Sequence, residues 1–243
     1  MYFKKNSGRL YYIIMNTIGE ETLQIMQRAN YYNAWLFSLI SPWISGQIAE
    51  VGSGMGLFAG KILASQKPVT ALDINDDYLK IIKNKYPRIE TFNFDLQSPS
   101  VPSRLVNKFD TVVAINVLEH VPNLNLALKN IYTMLASGGK LIVLIPSFQS
   151  AYGSMDKNLG HYRRYTRGNF TNHLSQVKFK QIFSRYINFW GLWGWWFNGR
   201  ILKRSRISEA QVGLFDVLFR PWMWLETIVK FPLGLSLVSV SEK

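Results

Sequence analysis

The chain has 243 residues, enough to bury one substantial core, and its 48% hydrophobic and 18% charged residues are ordinary for a folded globular protein. It has no cysteine, which excludes a disulfide framework and a thiolate metal site. It has only three histidines, which argues against a structural zinc cluster, so no metal site is predicted. The net charge of +13 is uneven, because residues 157–208 contain eleven Lys or Arg and no Asp or Glu, a pattern that attracts phosphate-bearing substrates, acidic lipid surfaces or nucleic acid.

The N-terminal segment, residues 1–45, is predicted to be helical. It lacks a long apolar core followed by a small-residue cleavage site, so no secretion signal is expected. The helical pattern lies within residues 20–45, and Pro42 is predicted to end the helix. No 18-residue window of the chain is apolar and free of charge, so a membrane-spanning helix is not expected. These features predict a cytoplasmic protein, with peripheral membrane contact as an open alternative.

Residues 46–148 alternate short apolar strands with helices. Five strands are predicted within GQIAEVG, PVTALDI, IETFNFD, FDTVVAINVL and KLIVLIPS, and three helices within LFAGKILASQ, DDYLKIIKNKY and NLALKNIYTMLASGG. Such alternation is typical of a parallel sheet with right-handed crossovers. Two further strands are predicted within KQIFSRYINFW and LGLSLVSVSEK. The fold class is therefore predicted to be α/β, with a Rossmann-like, seven-stranded, mostly parallel sheet and helices on both faces.

The first predicted strand ends in the glycine-rich sequence AEVGSGMG. Glycines are needed where a backbone turns sharply and approaches a ligand closely, and Gly52, Gly54 and Gly56 stand between a strand and a helix. A dinucleotide fold uses the spacing G-x-G-x-x-G, with pyrophosphate at the helix N-terminus. Here the spacing is G-x-G-x-G and Glu50 precedes it, so the carboxylate would repel pyrophosphate but suits a cationic amino group.

Two further carboxylates follow the second and third predicted strands. Asp73 ends the second strand, where a carboxylate can bind both hydroxyls of a ribose. Asp95 ends the third strand and can accept a hydrogen bond from an adenine amino group. Three acidic residues at three successive strand ends indicate a ligand site at one edge of the sheet.

Together these motifs resemble those of class I S-adenosylmethionine-dependent methyltransferases. The matching sequences are E-x-G-x-G-x-G at 50–56, LDI with Asp73, Asp95-Leu96, FDTVVAINVLEHV at 109–121 and LASGGKLIVLIPS at 135–147. They cover residues 46–148, and the resemblance implies S-adenosylmethionine as the cofactor.

The resemblance also implies a role for each matching residue. Glu50 is expected at the methionine amino group, the glycines as a cradle and Asp73 at the ribose. Asp95 and Leu96 are expected at the adenine, and Asn116 under the methionine end. The full implied cofactor-binding set is Glu50, Gly52, Ser53, Gly54, Gly56, Asp73, Ile74, Asp95, Leu96, Asn116, Val117 and Glu119.

The sequence NLGHYRRYT, residues 158–166, follows the fifth predicted strand, where class I methyltransferases usually build the acceptor pocket. The candidate catalytic residues are His161 and His120, since histidine is the usual base near neutral pH and a pocket-lining role is the alternative for His120. Arginine pairs suit carboxylate or phosphate. The candidate substrate-binding residues are therefore Asp156, Tyr162, Arg163, Arg164 and Tyr165. The alternative is a basic loop whose arginines bridge to helix ends or buried carboxylates.

The same stretch resembles a D-x-x-x-G-H-x-R-R-Y-T signature of a methyltransferase subgroup. Members of that subgroup are often associated with cell-surface glycan or lipid-linked biosynthesis. The GWW-x-NGR sequence and the closing P-x-GLSL of this chain resemble the tails of the subgroup. This second resemblance extends the match to most of the chain but says little about the chemistry.

Residues 191–233 form an aromatic and basic insertion that is predicted to be helical. Six tryptophans lie in it or beside it: Trp190, Trp193, Trp195, Trp196, Trp222 and Trp224. Tryptophan together with arginine suits a membrane interface or an amphipathic acceptor. A lid packed on the core of the domain is the alternative. Nucleic acid would also use such residues, but no RNA-binding module is visible in the sequence.

The leading hypothesis is a single methyltransferase domain, residues 1–243, in which residues 149–243 shape the acceptor pocket. The acceptor is predicted to be a small molecule, anionic or amphipathic, and lipid- or glycan-linked. An RNA or protein methyltransferase is the first alternative, although nucleic acid is the less favoured partner. A noncatalytic cofactor-binding or membrane-peripheral scaffold is the second alternative, and the oligomeric state is left open.

Overall fold

A computed structural model describes residues 19–204, 206 and 208–243, and these residues are organised around one seven-stranded sheet. The strands are β1 (Ile48–Val51), β2 (Val69–Asp73), β3 (Glu90–Asn93), β4 (Phe109–Ile115), β5 (Leu135–Pro146), β6 (Lys180–Ile187) and β7 (Ser236–Glu242). Their order is β3-β2-β1-β4-β5-β7-β6, with β1 to β5 parallel and β7 antiparallel to β5 and β6. The predicted Rossmann-like, mostly parallel α/β sheet is confirmed.

Helices cover both faces of this sheet. They are α1 (Asn30–Ile40), α2 (Leu57–Ala64), α3 (Asp76–Lys85), α4 (Leu124–Met134), α5 (Ser154–Asn158), α6 (Arg167–Gln176), α7 (Phe189–Trp196), α8 (Glu209–Leu218) and α9 (Arg220–Ile228). One apolar core lies between the sheet and α4 with α6, and the other lies under α1, α2 and α3. The central strand β4 is almost wholly apolar because it is buried on both faces.

The N-terminal helical prediction is divided in the structure. Residues 19–27 are helical, the chain breaks the helix at 28–29, and α1 continues to Ile40 before a 3₁₀ turn over Ser41–Trp43. The part of the prediction that falls on residues 1–18 lies outside the described residues.

Two predicted boundaries differ from those in the structure. The helix that was expected to end at a glycine pair ends at Met134, because residues 135–139 already belong to β5. The segment 149–168, which includes the stretch for which a basic loop was the alternative, contains the 3₁₀ turn Gln149–Ala151 and the short helix α5. It also forms a parallel bridge between Ser147 and Tyr165, which joins it to the carboxyl end of β5.

The insertion is attached to the domain by two buried carboxylates. Asp216 of α8 accepts hydrogen bonds from the backbone N–H groups of Tyr31 and Tyr32, at 3.2 and 2.7 Å, in the first turn of α1. Ala29 offers no side-chain cap there, so Asp216 satisfies N–H groups that the helix itself leaves free. Glu226 of α9 does the same for Asn188 and Phe189 at the start of α7. The lid alternative is thus supported on the inner side of the insertion.

The outer side of the insertion is apolar and basic. Its exposed apolar side chains include Trp193, Phe197, Ile201, Leu214, Leu218, Trp222, Trp224 and Ile228. No helix of the described residues combines the length and the hydropathy that a bilayer crossing requires. This exposed apolar surface therefore lies on short helices at the protein surface.

Candidate functional site

The glycine-rich turn lies at the carboxyl edge of the sheet, between β1 and α2. Gly52, Gly54 and Gly56 all have positive φ, at 64°, 52° and 78°, a conformation in which a side chain is strained. A Cβ on Gly52 would lie 2.3 Å from Val117, so the turn contacts the loop after β4. A Cβ on Gly54 would meet nothing closer than Leu23 at 3.8 Å. The turn is therefore a backbone cradle with one open side.

Asp73 holds this cradle to the end of β2. Its carboxylate accepts hydrogen bonds from the backbone N–H of Gly54 at 2.8 Å and of Asn75 at 2.9 Å. Ser53 is fixed beside it, because its hydroxyl donates to the carbonyl of Glu50 at 2.8 Å. A carboxylate has about four lone-pair sites, so Asp73 keeps acceptor capacity for the two hydroxyls of a ribose.

Glu50 is a buried carboxyl group under the cradle. It is 3% exposed, and its Oε2 accepts the backbone N–H of Ala59 at 2.8 Å. The pKa of Glu50 is raised to about 8, chiefly by burial; the Ala59 hydrogen bond opposes this shift and the nearby Asp73 carboxylate adds to it. Because burial disfavours the ionised carboxylate, a cationic amino group beside Glu50 would strongly stabilise it. This environment fits the ammonium of a methionine moiety.

The residues predicted near the adenine differ in how deeply the structure buries them. Ile74 is 64% exposed at the end of β2, as a residue that covers a bound ring would be in the free protein. Asp95 is partly buried and accepts the backbone N–H of Gln97 at 2.7 Å. Leu96 is buried in the core with residues of α4, and its backbone carbonyl accepts a hydrogen bond from the Asn130 side chain at 3.0 Å.

Leu23 was missed by sequence reasoning, although among the described residues it is the one that a Cβ on Gly54 would meet, at 3.8 Å. It belongs to the helical segment 19–27, which lies over the cradle. The signal was weak, because Leu23 belongs to an apolar helical pattern that equally predicts core packing. Leu23 gives the cofactor cleft a wall that the glycine motif alone did not indicate.

The loop after β4 joins the cradle to the acceptor side. Asn116 has φ of 51°, a left-handed conformation that asparagine tolerates better than most residues, and its N–H donates to Leu144 at 2.8 Å. The 3₁₀ turn Leu118–His120 follows, and the backbone carbonyl of Glu119 accepts the N–H of Tyr162 at 2.8 Å. The segments that contain LEHV and GHYRRYT are therefore in direct contact.

Asp156 is the centre of a buried polar cluster, which we call the Asp156 hub. Its carboxylate accepts four hydrogen bonds, from Arg164 Nε at 2.7 Å, His161 Nδ1 at 2.9 Å, Trp195 Nε1 at 3.0 Å and the backbone N–H of Gly153 at 3.0 Å. Burial alone would raise the pKa of Asp156, but these hydrogen bonds and the charge of Arg164 hold it below its usual value. The hub links α5, the GHYRRYT sequence and the insertion.

Three of the five predicted substrate-binding residues are therefore interior residues. Asp156, Arg164 and Tyr165 are 0%, 2% and 1% exposed. Arg164 also donates to the Ser147 carbonyl at 3.1 Å, and the Tyr165 hydroxyl donates to the Leu118 carbonyl at 3.2 Å. The predicted direct contact with substrate is corrected for these three, because their polar groups are occupied by protein partners. They position the loop instead.

The other two predicted substrate-binding residues reach the surface. Tyr162 is 58% exposed. Arg163 donates to the carbonyls of Val121 and Pro122, at 3.2 and 2.7 Å, and lines an open polar depression together with His173. The predicted arginine pair is therefore not a two-armed fork, since Arg163 and Arg164 point to different environments.

The two predicted catalytic histidines are neighbours. The rings of His120 and His161 meet edge to face with their centroids 4.8 Å apart. The side chain of His161 is 9% exposed, whereas His120 is exposed. With its Nδ1 hydrogen-bonded to Asp156, His161 directs Nε2 toward Glu119, whose Oε1 is 4.0 Å away. The Nε2 side of the His161 ring therefore faces the buried Glu119 carboxyl group.

An apolar cavity of about 270 Å³ lies beside the Asp156 hub. Its walls come from the helical segment 19–27, α1, α5, α7 and α8, and they include Met26, Tyr32, Met155, Trp190, Trp195 and Phe215. Trp195 both lines the cavity and donates to Asp156. Met26 lies one helical turn from Leu23, so one helix borders the cavity and the cradle. In the sequence analysis Trp195 was singled out only as one tryptophan of the insertion, and this cavity was not predicted.

Comparison with known proteins agrees with this geometry. Residues 49–141 match a family described as a methyltransferase domain. A ubiquinone biosynthesis O-methyltransferase of Coxiella burnetii is 26% identical over 95 residues, which are 39% of this chain and 41% of the relative. A probable S-adenosylmethionine-dependent methyltransferase of Mycobacterium tuberculosis is 24% identical over 138 residues, covering 55% and 49% of the two chains. The chain thus spans less than half the length of these curated relatives.

Solved structures share the fold at low identity. The structure of an S-adenosylmethionine-dependent methyltransferase of Thermotoga maritima, described as a possible histamine N-methyltransferase, has a TM-score of 0.63 and 14% identity. The alignment covers 94% of this chain and 99% of that one. Fold and site together define the class: the protein has the class I methyltransferase fold, and the comparisons support an enzyme that uses S-adenosylmethionine. The cradle, Asp73 and Glu50 fit that cofactor.

Proposed function

We propose that the protein transfers a methyl group from S-adenosylmethionine to an oxygen or nitrogen of an amphipathic, lipid- or glycan-linked acceptor. The observation that carries this proposal is the apolar cavity, whose wall residue Trp195 is hydrogen-bonded to the Asp156 hub. An apolar part of the acceptor would occupy the cavity, and the polar residues of the hub would lie beside it. Ligand pockets of this kind combine apolar walls with a few placed polar groups. The relative from Coxiella burnetii is named an O-methyltransferase, which favours oxygen as the methylated atom.

The protein side of the reaction is mainly alignment and exclusion of water. When bound, S-adenosylmethionine supplies a methyl carbon activated by its sulfonium charge. The glycine cradle and Asp73 hold the nucleoside, Glu50 holds the amino group, and Leu23 closes the cleft. Trp195 and the cavity orient the acceptor, while the His161 edge faces its nucleophile. Because Arg164 is occupied by Asp156, an anionic group on the acceptor is assigned to Arg163 at the surface.

Filling the cavity is expected to impair methylation of the acceptor without affecting the binding of the cofactor. Gly194 lines the cavity, and among the described residues a Cβ added there meets nothing within 4 Å. The variant Gly194→Leu should lower kcat/KM for the acceptor by roughly tenfold or more, since several methylene-sized volumes are removed. The acceptor is found first by incubating the protein with methyl-labelled S-adenosylmethionine and separate lipid, glycan, RNA and protein fractions.

The matched control is Gly213→Leu, on a helix of the same insertion, where a Cβ also meets nothing within 4 Å. This variant should keep the parent kcat/KM. Label in the RNA or protein fraction would favour the first alternative function instead. Cofactor binding with no labelled fraction would favour a noncatalytic scaffold. Equal loss in Gly194→Leu and Gly213→Leu would remove the cavity from the acceptor site.

The outer side of the insertion is assigned to an anionic membrane surface, where a lipid-linked acceptor would be met. Trp193, Trp224 and Ile228 are 50%, 65% and 63% exposed. The acids of the insertion do not oppose binding, because Asp216 and Glu226 are buried and Glu209 pairs with Arg28. Exposed tryptophans among basic residues suit the interface of an anionic bilayer.

Vesicle flotation tests this membrane contact. The protein should float with phosphatidylglycerol-containing vesicles, bind phosphatidylcholine vesicles much less, and dissociate as salt is raised. The double variant Trp224→Ser with Ile228→Ser should lose most of the bound fraction. The control Ile81→Ser, at an apolar side chain of α3 that is 40% exposed, should bind as the parent does. Parent protein that remains at the bottom of the gradient at low salt would contradict the assignment.

A further inference from the structure

Glu119 is a buried carboxyl group that lacks a hydrogen-bond partner. Its residue is 1% exposed, and neither Oε1 nor Oε2 has a partner among the residues that the structure describes. Burying a carboxylate without hydrogen bonds is costly, so such a group indicates a missing ligand. Burial raises the pKa of Glu119 to about 7, although His161 and Arg164 lower it.

Glu119 faces two imidazoles. One ligand atom from each of Glu119, His120 and His161 can be chosen so that all three lie within 4.8 Å of one another. Around a zinc ion, tetrahedral ligand atoms bound at 2.0–2.2 Å are about 3.3–3.6 Å apart, so modest rotations of the Glu119 and His120 side chains would close the set. The three residues belong to contacting segments, because the backbone of Tyr162 is hydrogen-bonded to that of Glu119.

The Asp156 hub prepares His161 for such a role. Histidines that bind metals usually donate their second ring N–H to a carboxylate, which fixes the tautomer and the orientation of the ring. The Nδ1 of His161 is 2.9 Å from Asp156, and Nε2 is the ring nitrogen that faces Glu119 and could bind a cation. Asp156 is in turn held by Arg164 and Trp195, so the ring has little freedom to turn.

We infer that Glu119, His120 and His161 bind a divalent transition-metal cation of the zinc type. Two imidazoles and one carboxylate suit such ions better than Mg²⁺ or Ca²⁺, which prefer sets made only of oxygen ligands. The ion would neutralise Glu119, a buried carboxylate that none of the described residues neutralises by hydrogen bonding. The prediction from sequence that the protein has no metal site rested on the absence of cysteine and on the small number of histidines, and this set needs only two of the three histidines and one carboxylate.

The site deepens the proposed function and, in its catalytic consequence, rests on it. Three protein ligands leave at least one coordination position open toward the carboxyl edge. An acceptor hydroxyl bound there would lose its proton to solvent more readily, as metal-bound water does. The cation would then activate the acceptor, and His161 would be a ligand rather than the base.

Metal titration of the full chain tests the site without any methyl transfer. After dialysis against chelator, the protein is titrated with ZnCl₂ in a calorimeter and with CoCl₂ in a visible spectrometer. One equivalent should bind, with cobalt absorption typical of a low-coordinate nitrogen and oxygen site. The variants Glu119→Gln and His120→Ala should each lower the affinity by roughly tenfold or more. The control His173→Ala, on the exposed surface of α6, should bind as the parent does.

Several outcomes would overturn the site. Saturable binding that Glu119→Gln leaves unchanged would do so, as would no binding by a parent protein that is folded by circular dichroism. Folding is checked on Glu119→Gln, which keeps the shape of the side chain and removes a buried unpaired charge. A protein that binds one zinc ion but methylates nothing would contradict the proposed function and leave the metal site standing. Methylation that survives both chelator and Glu119→Gln would contradict the catalytic consequence.

Discussion

Replacing Asp73 with alanine is expected to weaken the binding of S-adenosylmethionine by about 100-fold or more, since each hydrogen bond to a charged group contributes about 1.5–3 kcal/mol and two ribose hydroxyls lose their acceptor. The variant also frees the N–H of Gly54, which Asp73 holds at 2.8 Å. Calorimetric titration with the cofactor measures the change. The protein should remain folded, because Asp73 is the last residue of β2, at the carboxyl end of the strand.

The matched control is Asp77→Ala, an exposed carboxylate in the first turn of α3. Its affinity for the cofactor should equal that of the parent. Asp73→Asn should fall between the two, since it keeps the shape of the side chain but loses the charge. Unchanged affinity in Asp73→Ala would remove the ribose assignment, and so would an equal loss in Asp77→Ala.

Replacing Asp156 with alanine is expected to lower the free energy of unfolding by about 3–5 kcal/mol, the usual cost of removing one partner of a buried ion pair. Arg164, with a side chain that is 1% exposed, would be left as an unpaired buried charge. Trp195 and the Gly153 N–H would lose their acceptor as well. Urea denaturation of the parent and the variant measures the difference.

A double replacement separates loss of the charge pair from loss of volume. Asp156→Leu with Arg164→Met should recover much of the lost stability, because apolar residues of similar size often replace a buried pair without cost. The exposed pair Lys80–Asp77 gives the contrast, and Asp77→Ala should change stability by less than about 1 kcal/mol. A loss below about 1 kcal/mol in Asp156→Ala would mean that the hub does not hold the loop.

The sheet could be read from the sequence because its signals are local. Alternating apolar strands and amphipathic helices predicted all seven strands, and Asn75 at the start of α3 is a cap that a sequence reader can find. The strand ends then placed Glu50, Asp73 and the glycines together, since carboxyl ends of parallel strands meet at one edge. The family resemblance added roles to residues that this topology had already gathered.

The acceptor side could not be read in the same way, because it depends on contacts between distant segments. Arg163 and Arg164 are adjacent in the chain, yet one is partly exposed and the other is buried against Asp156. No periodicity marks which neighbour of an irregular loop turns inward. Trp195 reaches Asp156 across 39 positions, so the cavity exists only once the insertion is folded onto the domain.

The two carboxylates that attach the insertion have a consequence for protein engineering. Asp216 and Glu226 cap α1 and α7, so the helices of the insertion complete backbone hydrogen bonding that the rest of the domain leaves unfinished. Deleting residues 209–228 would remove the acceptors of two backbone N–H groups at the start of each helix, along with a wall of the cavity. The insertion is therefore not a detachable module. A graft meant to exchange acceptor specificity would have to bring its own acid at each of these two positions.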